Sequence, residues 1–357
     1  MKKKYYILIC ILLVAVIGIT TFDLAISKLD FMELSGWHRV AYAIFNREKL
    51  EKTQFVGEDS EGFWNETDEY RLENTAVLQK EPDKDFVVLN LTDIHMADFD
   101  YYGAYNVRLF AHIRALVEES QPDLITISGD LFSSDSVVLS VYELTDLMDS
   151  FGIPWAPIFG NHDDGGNCDL NFLADVMMGS EHCLLKKGDA ALGVGNYIIN
   201  ICEGENIVHS LLMMDSHGDG LHENQIGWYR WAASGANAPS TVILHIPIGE
   251  YQLAYDAAWD DGWKEGYAAF GSQKEAICPE GGSNGFFAAV QDIGLTKNIL
   301  CGHDHTNDFS IVYEGVRLSY SMRLGIYGAH HPDNMGATLL TIHDDGSVEV
   351  SHIHRYE

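Results

Sequence analysis

Apolar positions along the chain change their period twice. Residues 5–22, YYILICILLVAVIGITTF, form an uncharged run preceded by Lys2, Lys3 and Lys4. A run of that length reaches the lower limit for crossing a hydrocarbon core, and the lysines favour an amino end kept in the cytoplasm. A cleaved signal peptide is the rival reading; the length of the run and the lack of a small-x-small cleavage site weigh against it. Both readings export the body of the protein, either anchored to a membrane or secreted. Residues 23–84 have a mixed pattern with an acidic, turn-rich stretch at 51–70, and read as a stem or linker. Within it Asn65-Glu66-Thr67 fits a glycosylation acceptor, relevant only in a eukaryotic secretory pathway.

From 85 to 357 the pattern becomes that of a folded domain. Short, largely apolar runs at 86–91, 124–128, 155–159, 241–246 and 298–300 predict strands buried on both faces. Leu109, Ile113, Leu116 and Val117 recur at helical spacing, and further helices are expected at 137–149, 222–233 and 285–292. The stretch 337–356 predicts a hairpin turning at Asp344, Asp345 and Gly346. Strands alternating with helices imply an α/β core with covering antiparallel pieces.

Composition narrows the function classes. Acidic residues outnumber basic ones 53 to 22, a net charge of −31. Such a surface disfavours nucleic acid, whose non-specific binding depends on Lys and Arg displacing counterions. Cys10 lies in the apolar run; Cys168, Cys183, Cys202, Cys278 and Cys301 contain no CxxC pair, which argues against a zinc ribbon. Cys168 and Cys183 could pair in an oxidising compartment, although five thiols is the favoured reading.

Each buried-strand candidate ends in, or is followed at once by, a residue able to hold a metal ion. LNLTDIHMAD carries Asp93 and His95, LITISGDLF carries Asp130, APIFGNHDD carries Asn161 and His162, VILHIP carries His245, and NILCGHDH carries His303 and His305. Side chains alternate along a strand, so Asp93 and His95 are expected to point the same way, as are His303 and His305. Open α/β sheets bind ligands outside the carboxyl ends of their strands, where five chain-distant pieces would converge. Singly, D-x-H or a lone His245 is as readily a packing feature; GNHD and GHDH are more specific, and the ordered set more so again. Imidazole and carboxylate suit Mn, Zn or Fe.

D-x-H, G-D, G-N-H-D, H and G-H-x-H in this order resemble the signature of calcineurin-like metallophosphoesterases, over about residues 86 to 330. The stretches LMMDSHGDG, QIGWYRWAAS and GFFAAVQDIGLTKNILCGHDHTNDF resemble the purple-acid-phosphatase-29-like subgroup. The resemblance implies a β-sandwich flanked by helices with two transition-metal ions at its edge. It assigns Asp93, His95 and His305 to one metal, Asn161, His245 and His303 to the other, and Asp130 to both. It gives His162, oriented by Asp163, the role of stabilising transition-state charge or protonating the leaving oxygen. Two such ions about 3.5–4 Å apart would clamp a phosphate and lower the pKa of a bridging water to give the attacking hydroxide. Purple acid phosphatases place a tyrosine ligand where this chain has Ser133, which removes the expectation of a coloured ferric site.

The expected protein is therefore an exported, membrane-anchored hydrolase of a phosphomonoester, small-molecule or protein. The alternatives are a phosphodiesterase on nucleotide, lipid or cell-envelope substrates, and a surface binding protein without turnover. Outside the motifs, His217 is a candidate for the pocket mouth. Arg323 is read either as an oxyanion holder or as a surface ion pair. Trp259 and Trp263 belong to a lid over the site or, by the reading slightly preferred, to helical packing.

Overall fold

The structure is a computed structural model describing residues 64–96, 105–133, 137–164, 168–281, 284–325 and 332–355. The first half comprises β1 (Ala76–Gln79), β2 (Phe86–Leu91), α1 (Tyr105–Ser120), β3 (Leu124–Ser128), α2 (Val138–Asp149), β4 (Trp155–Ile158) and α3 (Leu170–Met178). A hairpin of β5 (Tyr197–Glu203) and β6 (Asn206–Met213) follows, then α4 (Glu223–Ala236), β7 (Ser240–Ile243), α5 (Glu250–Ala258), α6 (Phe286–Ile293) and β8 (Thr296–Cys301). Two further hairpins end the chain, β9 (Ser310–Tyr313) with β10 (Val316–Tyr320) and β11 (Gly336–Ile342) with β12 (Val348–His354).

The strands make two mixed sheets. One has the order β12-β11-β2-β3-β4, with β2, β3 and β4 parallel. The other has the order β1-β5-β6-β7-β8-β10-β9, in which β6, β7, β8 and β10 run parallel. Period-two alternation decides which side of the larger sheet faces what. Ile199, Ile201, Leu211, Met213, Ile243 and Leu300 join the core built on the smaller sheet. Their neighbours Ile198, Leu212, Val242 and Ile299 join a second core with Trp228 and Tyr229 of α4, Tyr251 of α5 and Phe286 of α6. Each such side chain contributes about 1.5–3 kcal/mol on burial, so a one-residue slip of register would be strongly opposed. The two sheets with covering helices are the α/β arrangement the resemblance implied.

The five apolar runs are strands, and the expected helices and terminal hairpin form where the pattern put them. The β5–β6 hairpin was not anticipated, because polar residues interrupt it. Asn200 donates to the Tyr70 hydroxyl at 2.8 Å and to Thr75 Oγ1 at 2.7 Å, and accepts from Ser210 Oγ at 2.7 Å. The buried His209 ring lies between the Gly346 carbonyl and the Thr241 hydroxyl. Satisfied in this way, buried polar groups cost little, yet they break the hydrophobic signal.

Residues 64–84, read from the sequence as the end of a stem, belong to the fold. β1 pairs in parallel with β5, Ala76 opposite Ile199. Trp64 and Tyr70 pack against Trp231 of α4, whose indole N–H donates to the Asp68 carbonyl at 2.7 Å. The apolar run 5–22 and the rest of the stem lie outside the described residues. Among those described, no helix is long and apolar enough to cross a membrane. Among the described residues, Cys168, Cys183, Cys202, Cys278 and Cys301 form no disulfide.

Candidate metal centre

The carboxyl ends of β2, β3, β4, β7 and β8 bring all seven sequence-identified candidate ligands together, but not through the pleat. β2 ends at Leu91 and β8 at Cys301, so Asp93, His95, His303 and His305 lie beyond the strands. What turns the side chains inward is left-handed backbone: φ is +50° at Asp93, +48° at His95, +52° at Asp130 and +76° at His303. For residues with a β-carbon this conformation is uncommon and costs on the order of 1–3 kcal/mol, which the surrounding structure must supply. The alternation argument thus gave the right convergence for the wrong reason.

The motif glycines follow from the same crowding. A β-carbon at Gly129 would strike the His245 ring, one at Gly160 would strike Asp130, and one at Gly302 would strike Thr92 and Asp93. Each glycine lets one strand end approach a metal-ligand candidate from another.

Two subsets meet at Asp130. In the first, one side-chain nitrogen or oxygen each of Asp93, His95, Asp130 and His305 lie within 4.8 Å of one another. His95 Nε2 is 3.2 Å from His305 Nε2 and 3.6 Å from Asp130 Oδ2, and His305 Nε2 is 3.4 Å from Asp93 Oδ1. In the second, Asn161 Oδ1 is 3.1 Å from His245 Nε2 and 3.0 Å from His303 Nδ1, while His245 Nε2 is 3.3 Å from Asp130 Oδ1. Asp130 therefore turns one carboxylate oxygen to each subset. His245 Nδ1 donates to the Ser128 carbonyl at 2.9 Å, an acceptor only, which leaves Nε2 to carry the inward lone pair whenever the ring is neutral.

The electrostatics are those of a site built for cations. Asp93, His95, Asp130 and His245 are at most 3% exposed. Burial alone would raise the Asp93 carboxyl, but His305, His245 and His95 outweigh it and hold the group well below the usual range. At Asp130, too, burial is outweighed, chiefly by His245, bringing the carboxyl to about 2. Burial lowers His95 to about 3 and His303 to about 4, so both rings are neutral at pH 7. His245 goes the other way: Asp130 and Asp93 overcome its burial and raise it to about 10. The His245 imidazolium thus faces two carboxylates. Among the described residues, Asp93 Oδ1 and Asp130 Oδ2 are buried without a hydrogen-bond donor. Their lone pairs are thus open to a cation, and the carboxylate, imidazole and amide set suits Mn, Zn or Fe.

Around this centre several sequence readings change. Asp163 does not orient the His162 ring. Its Oδ1 accepts the Phe132 N–H at 2.8 Å and its Oδ2 the Gly160 N–H at 2.7 Å, so it fastens the loop after β3 to the loop after β4. Burial and then the Asp130 charge push this carboxyl up to about 8. His162 is exposed, its ring edge-on to His95 with centroids 5.2 Å apart, and its main-chain N–H donates to Asp130 Oδ1 at 2.9 Å. Ser133 turns its hydroxyl onto the His95 carbonyl at 3.1 Å. Arg323 is 1% exposed, with Nε donating to the Gly325 carbonyl at 2.6 Å, so the surface ion-pair reading is overturned. α5 ends at Ala258, and Trp259 and Trp263 pack edge-to-face at 4.9 Å across the following turn, Trp263 lying near Phe309 of the second core. His217 leaves the carboxyl end of β6 with φ +51° and stacks on His222 at 4.4 Å. Sequence reasoning missed Thr92, whose hydroxyl lies 2.9 Å from Asp93 Oδ2 and 3.1 Å from the Ser128 carbonyl. A hydroxyl between an apolar strand and an acidic residue was the available signal.

"Probable inactive purple acid phosphatase 14" of Arabidopsis thaliana is 27% identical over 278 residues, covering 66% of this chain and 66% of that protein. "Probable inactive purple acid phosphatase 29" of the same plant is 24% identical over 296 residues, covering 69% and 72%. A crystal structure of a dimetal phosphatase from Danio rerio superposes with a TM-score of 0.43 at 12% identity, covering 76% of this chain and 99% of that one. The family model for calcineurin-like phosphoesterases matches residues 86–307, a span that holds all seven candidate ligands, and the chain belongs to that family.

Proposed function

We propose that the protein is an exported, binuclear metal-dependent phosphoesterase acting on a phosphomonoester. The observation that carries this reading is the pair of buried, hydrogen-bond-less oxygens, Asp93 Oδ1 and Asp130 Oδ2, facing inward-turned imidazoles. Asp93, His95 and His305 would hold one ion, Asn161, His245 and His303 the other, with Asp130 shared. When bound, such ions supply electrophilic activation of the phosphate and a hydroxide nucleophile at neutral pH. The chain's own residues do the rest. Asp130 offsets the positive charge between the two positions, and His245 must release its proton as the site fills. His162 stands exposed at the mouth and protonates the leaving oxygen, its loop tied to Asp130 through the main-chain N–H. Asp163 serves this step by holding the loops, not the ring.

Export rests on the sequence of residues 5–22 and gives an extracytoplasmic catalytic domain, anchored or released according to cleavage. A second reading comes from the names of the Arabidopsis relatives, which call those proteins probable inactive phosphatases: a surface protein that binds metal without turnover. Reconstituting the full chain separately with Mn, Zn and Fe, and assaying a chromogenic phosphomonoester beside the matching diester, separates the cases. Monoester preference is expected. Diester preference would indicate a phosphodiesterase, and silence on both with metals bound would favour the binding protein.

A further inference from the structure

Between His303 and His305 stands a side chain committed elsewhere. Asp304 is 6% exposed, and its Oδ2 accepts the Tyr320 hydroxyl at 2.5 Å and the Cys278 main-chain N–H at 3.1 Å. Nearby bonds repeat the theme. Asn307 Oδ1 accepts the N–H groups of Lys274 and Glu275 at 2.9 and 3.1 Å. Asp308 Oδ1 accepts the N–H and hydroxyl of Ser272 at 2.6 and 2.9 Å. In return Glu275 Oε1 accepts the Thr306 N–H at 2.5 Å. Residues 272–278 form no helix or strand, so side chains of the 303–308 loop take main-chain donors that a regular element would pair internally.

That loop has a demanding task. It leaves β8, passes through a left-handed residue at His303, and aims one imidazole at Asn161 and the next at Asp93 and His95. Two ligands with different partners on a strained loop must be held within about 0.5 Å, and external bracing is how such precision is reached. We propose that Asp304 is a positioning residue for the metal centre, acting through the brace at 272–278 and through the Tyr320 hydroxyl. The inference rests on the reading that His303 and His305 hold metal ions.

The test uses full-length protein, wild type, D304A, D304N and Y320F, purified metal-free and titrated by calorimetry with Mn2+ and again with Zn2+. The thermal midpoint of each metal-free protein is measured in parallel. D304A is expected to weaken binding about 10–100-fold, the range for groups that orient metal-binding histidines. D304N, which keeps an acceptor for the Cys278 N–H, should stay within about threefold of wild type, with Y320F intermediate. Unchanged affinity in D304A beside a lowered thermal midpoint would mean an ordinary fold-stabilising bond and overturn the proposal. Equal losses in D304N and D304A would also overturn it, by making charge and not the bond responsible. If D304A does not fold, Y320F decides, since it removes one hydroxyl and keeps the ring; undiminished affinity there overturns the proposal. Wild type that binds neither ion sinks the metal-centre reading itself, so the two failures are distinguishable.

Discussion

Asp130 faces His95 with one oxygen and His245 with the other, and it is fully buried. Asn in its place keeps the volume but removes the shared negative charge. D130N should therefore lose metal and activity together, read by metal analysis of the purified protein beside its hydrolysis rate. Full metal content with normal turnover would remove Asp130 from the centre. His162 makes the opposite prediction, because it lies exposed beside the centre. H162A should keep both ions and lose turnover by about a hundredfold, the effect of a missing general acid, with the deficit shrinking for esters whose leaving group needs no proton. Residue types at this scale were legible in the sequence as an ordered set, since Asp, His and Asn recur after five apolar runs. The backbone angles at Asp93, His95, Asp130 and His303 were not, because nothing in a D-x-H triplet encodes a left-handed turn. Asp163 was misread for a related reason: the resemblance set it against the His162 ring, whereas the turn sends the carboxylate back to Phe132 and Gly160.

At the scale of elements, long apolar runs were legible and interrupted ones were not. β2 and β3 lie where the hydrophobic pattern placed them, being buried with few polar residues. β1 reads AVLQ beside acidic turns, and only its pairing with β5 gives it an identity. This edge strand carries a prediction. A chain begun near residue 60 should elute as one discrete species by size exclusion, whereas one begun at residue 81 should aggregate, because the edge of β5 from Ile199 to Cys202 would be left unpaired. Equal behaviour of the two would show that residues 64–80 are dispensable after all.

For the whole molecule, acid is the revealing stress. His209 is buried away from the centre, and desolvation lowers its imidazole to about 4. Unfolded, the ring titrates near ~6.5, so between these values the unfolded chain binds the extra proton and stability falls as pH drops through the window. Over that window the loss is on the order of 3 kcal/mol. Urea unfolding of the metal-loaded protein at pH 7, 6 and 5 should show this fall, and H209Q should flatten it by one proton. An unaltered slope in H209Q would place the acid sensitivity elsewhere.

The carboxylates gathered at Asp93 and Asp130 have a consequence beyond chemistry. A ligand held there at a hundred times its dissociation constant adds about 2.7 kcal/mol to folding. That difference changes the fraction of unfolded chains available to proteases by about a hundredfold. The supply of metal would then govern how long each copy survives as well as how fast it works, so that scarcity thins the population of this protein instead of leaving a reserve of idle molecules.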